Sequence, residues 1–370
     1  MKTYKICHIT TVHPEKDIRI FQKECVSLAQ NGFHVTLLVR GEVSDNANNV
    51  EIKGIGTLPS NRIRRFLYGV NAAYKAAMQQ NADLYHIHDP ELLFVAWRLV
   101  RKGKKVLYDS HEDMPRQIMS KHYIPLCLRS MVSSIVEKIE NYFVKKISGV
   151  IAATPVIENR FRKINYQSVS ICNYPSLREF DLSTDWAKKE PEVCYVGGIF
   201  DVRGGDEMVR MLPLTNVKLN LAGNYSPKSY REKLSKLEGW NKVNEFGFVN
   251  REEIKAILNK SIAGLLLLHP LQSYKDSLPI KMFEYMAAGI PVVASDFPLW
   301  RSMIQKNECG VCCDPLNITE IAEVINQLYS HPEKARKMGE NGRKLVLETL
   351  NWEAEEIKLV DFYNRILNAE

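Results

Sequence analysis

Long apolar runs are missing from this chain of 370 residues. No window approaches the roughly 18 uninterrupted apolar residues that a membrane-spanning helix needs, which argues against an integral membrane protein. The opening MKTYKICHITTV passes from a lysine pair into a short β-like run with no small-residue cleavage site. That argues against a signal peptide, and the expected location is the cytoplasm. Cysteine is present without a pattern. Cys7, Cys25, Cys172 and Cys194 sit in apolar periodic segments, where a free thiol behaves as a small hydrophobe and a reducing compartment fits. CGVCC holds a C-x2-C in Cys309 and Cys312, with Cys313 beside it, but no second pair or His-x3-His at finger spacing accompanies it, so no metal is expected there. A Rossmann G-x-G-x-x-G fingerprint, an Asp-x-Asp metal motif in a nucleotide-binding context, internal repeats and low-complexity tracts are absent too.

What is present is enough chain, 45% hydrophobic, for two domains of ordinary size. The formal charge of +7 is uneven: residues 1–178 carry 26 Lys and Arg against 15 Asp and Glu, and the remainder carries 24 against 28. Arg62, Arg64 and Arg65 cluster beside Phe66, Leu67 and Tyr68, and Arg98, Arg101, Lys102, Lys104 and Lys105 form a second group. Such patches suit an anionic membrane surface or a phosphate-bearing acceptor, or are simply a solvated face. Nucleic acid is not expected, because no helix-turn-helix, finger or stacking motif accompanies the charge.

Buried-type strands alternate with helices from the start, the signature of α/β architecture. Strands are read at Lys5–Thr10, His34–Val39, Leu84–His88, Lys105–Asp109, Gly149–Ala153 and Ser168–Cys172. Helices are read at Arg62–Gln79 and Leu126–Lys146, and a charged, unperiodic linker at Ser176–Pro191. A second series opens at Glu192 and runs through Lys218–Ala222, Val243–Phe248, Ala263–Leu268 and Ile290–Ala294 to terminal helices. Two such series imply two doubly wound domains, whose ligands sit at the carboxyl ends of the strands.

The segment DSLPIKMFEYMAAGIPVVASD (Asp276 to Asp296) is the most informative. A helix starts near Pro279 with Met282, Phe283, Met286 and Ala287 on one stripe, and Gly289 and Pro291 stop it before a buried strand. Asp276 and Glu284 flank the helix start eight positions apart. This resembles the donor-site motif of the family 4 glycosyltransferases, retaining enzymes of the GT-B fold that use nucleotide sugars and carry Glu-x7-Glu before an AAG-PVVA stretch. Asp276 stands where the family's first glutamate does and is one methylene shorter. The resemblance implies two Rossmann-like domains facing each other across a cleft: residues 1–178 for the acceptor, 179–350 for the nucleotide-sugar donor, and a helix at 351–370 that crosses back to the first domain.

YVGGIFDVRGG (Tyr195 to Gly205) puts glycines directly after a strand and Arg203 before the next helix. Gly197 and Gly198 permit close backbone approach, and Arg203 supplies a charge that binds two oxygens, as a phosphate site requires. It resembles the family's GR-x4-KG element, with Gly198 in place of the arginine and Lys281 as a substitute charge. The resemblance further implies that Glu284 binds ribose hydroxyls and Asp276 hydroxyls of the transferred sugar. Ser277 and Leu278 would offer backbone N–H groups to the diphosphate, and Phe246–Val249, including Phe248, would contact the base. In the first half, His88 of HIHDPELL matches the histidine that family members place beside the donor sugar. His111, after the next strand, points to the same region, and His13, Lys16 and Arg19 form a polar loop suited to an acceptor. Catalysis is assigned to His88, Asp276, Arg203 and Lys281, with no cofactor and no metal.

The resulting expectation is retaining transfer from a UDP-sugar to a glycan or polyprenyl-diphosphate-linked acceptor in capsule, O-antigen or other surface polysaccharide assembly, in the cytoplasm or peripherally at the inner membrane face. A nucleotide-sugar epimerase, or a binding scaffold without turnover marked by Gly198 and Asp276, are the alternatives.

Overall fold

The computed structural model describes residues 3–57, 59, 62–119, 121, 124–179 and 185–369, with the side chains of 62–65 and 179 left out. The cluster Arg62, Arg64 and Arg65 and residues 180–184 of the expected linker therefore lie outside the described residues and side chains. Two compact units result: Met1–Asn173 with Glu353–Glu370, and Tyr174–Trp352. The sequence reading put these boundaries at 178/179 and 350/351.

In the first unit β1 (Lys5–Ile9), β2 (His34–Val39), β3 (Ser44–Ala47), β4 (Val50–Gly54), β5 (Leu84–Ile87), β6 (Lys105–Ser110), β7 (Gly149–Ala152) and β8 (Ser168–Ser170) form one sheet. Their order is 3-4-2-1-5-6-7-8, parallel except for the β3–β4 pair. Sequence reading missed that hairpin because SDNA and VEIKG are too polar to read as buried strands. Its two-residue loop is Asn48–Asn49, both at positive φ (52° and 63°), a conformation asparagine tolerates and hairpin turns need. Ile9, Tyr85, Ile87, Val106 and Phe161 are among the residues closing the core on the sheet.

The second unit holds β9 (Glu192–Val196), β10 (Lys218–Ala222), β11 (Val243–Gly247), β12 (Ala263–Leu266), β13 (Val292–Ser295) and β14 (Gly310–Cys313), all parallel in the order 11-10-9-12-13-14. CGVCC is thus largely the edge strand β14. Its thiols are free, and burial pushes that of Cys313 up to about 12.

The terminal helix, Trp352–Asn368, packs on the first unit. Phe362 lies so close to Gly149 that a Cβ there would meet its ring at 2.8 Å. Lys105 Nζ donates to the carbonyls of Ile366, Leu367 and Ala369 at 2.9, 3.0 and 2.6 Å, satisfying the orphan acceptors of the last turn. In each sheet the strand order reverses beside the first strand, at β1/β5 and at β9/β12, and there a doubly wound sheet opens a crevice at its carboxyl edge.

Candidate active site

At the β9/β12 switch point the chain turns through Gly197, whose φ of +137° is open only to glycine. A Cβ at that position would collide with Cε and Nζ of Lys281, so the absent side chain is what lets the lysine lie over the turn. Arg203 reaches the same turn: its Nη1 donates to Gly198 O at 3.4 Å, and its guanidinium lies 4.7 Å from the Phe200 ring centre. Two cations thus converge on one glycine pair. Burial, then the charge of Arg203, pulls Lys281 down to about 8, partly opposed by Glu284. A lysine that has lost solvation beside an arginine favours an anion at this turn.

Lys281 and Glu284 share helix Ile280–Ala287, which Pro279 starts and Gly289, at φ +66°, ends. Glu284 accepts from Arg251 Nη1 at 2.7 Å. Arg251 opens helix Arg251–Lys260 shortly after residues 246–249, of which Phe246 and Gly247 end β11 and Phe248 is 81% exposed. Sequence reading missed Arg251, since one arginine at a helix start carries no signal by itself. Asp276 caps the short helix Gln272–Lys275 and accepts from Gln272 Nε2 at 2.7 Å. One expectation needs correcting: the Ser277 N–H already donates to Tyr274 O at 3.1 Å, so it is spent inside the turn and the next amide along is that of Leu278.

The first unit carries a polar network at β1/β5 that sequence reading saw only in part. His8, His86 and His88 line up on neighbouring strands, all buried, with His8 and His86 paired in register. His88 Nδ1 lies 3.2 Å from Asp109 Oδ2, and its Nε2 lies 2.9 Å from His8 Nδ1. His8 Nε2 is 3.3 Å from Tyr363 OH, which is 2.6 Å from His86 Nδ1. Asp109 can only accept, so one ordering satisfies the chain: His86 donates to Tyr363, Tyr363 to His8, His8 to His88, and His88 to Asp109. Burial, then the neighbouring imidazoles, holds His8 and His86 well below the usual histidine range, and burial also lowers His88.

Arg19 lies inside this network rather than on an acceptor-facing loop, which corrects its expected role. It is 4% exposed, its Nε and Nη2 donate to the two oxygens of Asp109 at 3.0 and 2.9 Å, and its Nη1 donates to Ile171 O at 2.8 Å. Glu24 Oε1 is 3.1 Å from Nε. Against burial, which pushes it up, Arg19 and His111 hold Asp109 well below the carboxylate range, whereas burial and Asp109 push Glu24 well above it. One ionised carboxylate therefore faces one guanidinium, and Glu24 is neutral. His88 is corrected likewise: both its ring nitrogens face internal partners, leaving none for a sugar.

His111 lies at the edge of this network, 19% exposed. Its Nε2 lies 2.7 Å from Asp109 Oδ2. The rings of His13 and His88 are centred 5.0 and 5.6 Å from it. His13 is drawn up by its bond to Asp17, and its Nε2 is 3.6 Å from Asp89. Asp89 pins the loop after β1, accepting from Thr10 Oγ1 at 2.9 Å and from the Thr11 N–H at 2.6 Å. Lys16 stands at the edge, 58% exposed and 3.8 Å from Asp45. Among the described residues two groups have metal-ligand composition, His8, Glu24, His86 with His88, and His88, Asp109 with His111. In both, the Arg19 guanidinium already provides the cation that the carboxylates face.

Two family models match the chain, one described as Glycosyl transferases group 1 over residues 178–345 and one as Glycosyltransferase Family 4 over residues 23–172. An MMP alpha-(1->4)-mannosyltransferase of Mycolicibacterium hassiacum is 25% identical over 154 residues, which span 41% of this chain but only 36% of that protein. Sucrose-phosphate synthase from Thermosynechococcus elongatus superimposes with a TM-score of 0.83 over 99% of this chain and 100% of its own, at 20% identity. HepE of Anabaena, solved in complex with UDP-glucose, gives 0.72 over 98% and 100%, at 14% identity. With glycosyltransferase models matching both units and a fold shared with GT-B enzymes, the chain belongs to the family 4 glycosyltransferases.

Proposed function

We propose that this glycosyltransferase moves a hexosyl group, with retention of anomeric configuration, from a UDP-sugar to a glycan or polyprenyl-diphosphate-linked acceptor in surface polysaccharide assembly, at the inner face of the membrane and without a metal. The observation that carries the reading is the convergence of Arg203 and Lys281 on the Gly197–Gly198 turn, with Glu284 one helical turn beyond Lys281. Arg203 and Lys281 hold the diphosphate and stabilise the charge that grows on it as the glycosidic bond breaks. Glu284 accepts from the ribose hydroxyls, Asp276 from hydroxyls of the sugar, and the Leu278 amide and Phe248 line the diphosphate and base. In the first unit His111, with His13 and Lys16 beside it, positions the acceptor, whose hydroxyl proton is left for the diphosphate. His88 acts through Asp109 as a positioning residue. The departing diphosphate oxygen takes the acceptor proton on the face it leaves, which accounts for retention.

The test is transfer from UDP-, GDP- and ADP-sugars to a lipid-linked acceptor pool, with the anomeric configuration of the product read by NMR. Arg203→Ala lowers turnover by about a hundredfold or more in this reading, the size seen when a main electrostatic stabiliser is removed. Near-normal transfer by that variant refutes the assignment. Nucleotide binding without transfer or hydrolysis favours a scaffold, and conversion of free donor without acceptor favours an epimerase.

A further inference from the structure

Helix Ile280–Ala287 carries two opposite charges that must not meet. Met282, Phe283, Tyr285, Met286 and Ala287 are buried and anchor it, which leaves Lys281 and Glu284 off that face, three positions apart. On a helix this is the spacing at which a lysine and a glutamate pair. Here they do not. Among the described residues Lys281 makes no ion pair with Glu284, and its ammonium lies over the Gly197 turn, 5.3 Å from the centre of the Tyr195 ring.

What holds the carboxylate instead is Arg251, whose Nη1 donates to Glu284 Oε1 at 2.7 Å from a helix that begins 33 positions earlier. That helix start is fixed by a capping box: the Asn250 side chain accepts from the Glu253 N–H at 3.0 Å, and Glu253 accepts from the Asn250 N–H at 2.7 Å. The other acid of the first turn, Glu252, pairs with Lys255 at 2.9 Å. Both neighbouring carboxylates are thus engaged within their own helix, and the guanidinium goes to Glu284. With side chains 40% and 13% exposed, the pair keeps an edge toward solvent. An ion pair of this exposure adds little to stability, so its effect lies in where it sends the charges.

We propose that Arg251 is a positioning residue for donor binding: by holding Glu284 it keeps that carboxylate off Lys281, leaving the lysine for the diphosphate and the second carboxylate oxygen for the ribose. The diphosphate and ribose assignments rest on the function proposed above. Without Arg251, Lys281 and Glu284 neutralise each other across one turn of their helix, and both ligand contacts weaken together.

Calorimetry with UDP and 2′-deoxy-UDP on the wild type, Arg251→Met and Arg251→Lys tests this. The wild type binds UDP about tenfold or more tightly than the deoxy compound, because a hydroxyl donated to a carboxylate is lost. In Arg251→Met that ratio falls to about twofold or less. The loss of UDP affinity between pH 7 and 9, about tenfold for a lysine that titrates at about 8, also flattens there, because Lys281 paired with Glu284 keeps its charge. In Arg251→Lys both readouts return to within about threefold of the wild type, since one guanidinium nitrogen makes the bond and an ammonium can take its place. A residue that only supported the fold would shift the urea midpoint and leave the ratio and the slope alone. A ratio or a slope unchanged in Arg251→Met overturns the proposal while leaving Glu284 on the ribose. A wild type that binds UDP and 2′-deoxy-UDP equally removes the ribose from Glu284, and the proposal falls with it.

Discussion

Raising the pH from 7 to 9 should weaken diphosphate binding through one residue, Lys281. Its ammonium titrates at about 8 in the free protein, against 10.5 for an ordinary lysine, because it is buried and lies near Arg203. The folded value lies below the unfolded one, so holding the charge costs stability on the order of 3 kcal/mol at neutral pH, and that cost disappears as pH rises from about 8 past 10.5. Binding works in the opposite sense, because the diphosphate needs the charged form and restores its pKa. With a free-state value of about 8, roughly nine-tenths of the protein carries the charge at pH 7 and roughly one-tenth at pH 9, so the dissociation constant rises about tenfold. Calorimetry with UDP across that range measures it directly, and repeating the titrations in buffers of different ionisation enthalpy counts the protons taken up. Lys189 also titrates at about 8 through burial, and Lys281→Met separates the two by keeping the stem and removing the charge. An affinity flat from pH 7 to 9, or a slope that survives in Lys281→Met, refutes the reasoning.

Two further outcomes follow from the first unit. His8, His86 and His88 are held neutral in the fold but bind protons near 6.5 in the unfolded chain, so stability is full above that value and is lost as pH falls below it. The three therefore lower stability between pH 7.5 and 5.5, offset in part by His13, whose pKa is raised; urea unfolding at the two pH values checks this, and equal midpoints contradict it. Arg19→Met strands the ionised Asp109 and should cost about 3–5 kcal/mol in urea unfolding while leaving UDP affinity of the second unit unchanged. A loss under about 1 kcal/mol contradicts the structural role given to Arg19, and Arg19→Lys restores little because an ammonium cannot span both oxygens.

The fold was legible where apolar periodicity speaks for itself. His34–Val39 and Lys218–Ala222 read as strands residue for residue, and helix Ile280–Ala287 is bracketed by Pro279 and Gly289. Most other strand ends ran one or two residues long, as at Leu84–Ile87, while Lys105–Ser110 and Val292–Ser295 end one residue later than read, because a polar residue at the carboxyl edge of a strand does not announce whether it still pairs. The cluster at the β9/β12 switch point was legible because its residues are close in the chain: Lys281 and Glu284 share a helix, and Gly197, Gly198 and Arg203 share a turn. The network around Asp109 was not. It joins His8 of β1, Glu24 and Arg19 of the following helical segment, Asp109 of β6 and Tyr363 of the terminal helix, and only the fold brings these together. Arg19 shows the difficulty plainly, since a cation in a polar loop reads as a surface group until its carboxylate partner, 90 positions away, is in view. Arg251 was hidden for the same reason, lying 33 positions from the Glu284 it pairs with.

The most direct test of donor binding in the second unit is calorimetric titration of the protein and of Glu284→Ala with UDP-, GDP- and ADP-sugars. Selective binding of the UDP-sugar, weakened about tenfold or more in the variant as charged hydrogen bonds to the ribose are lost, is the predicted result. Binding of none of the three, or binding of a UDP-sugar unchanged by Glu284→Ala, would contradict it.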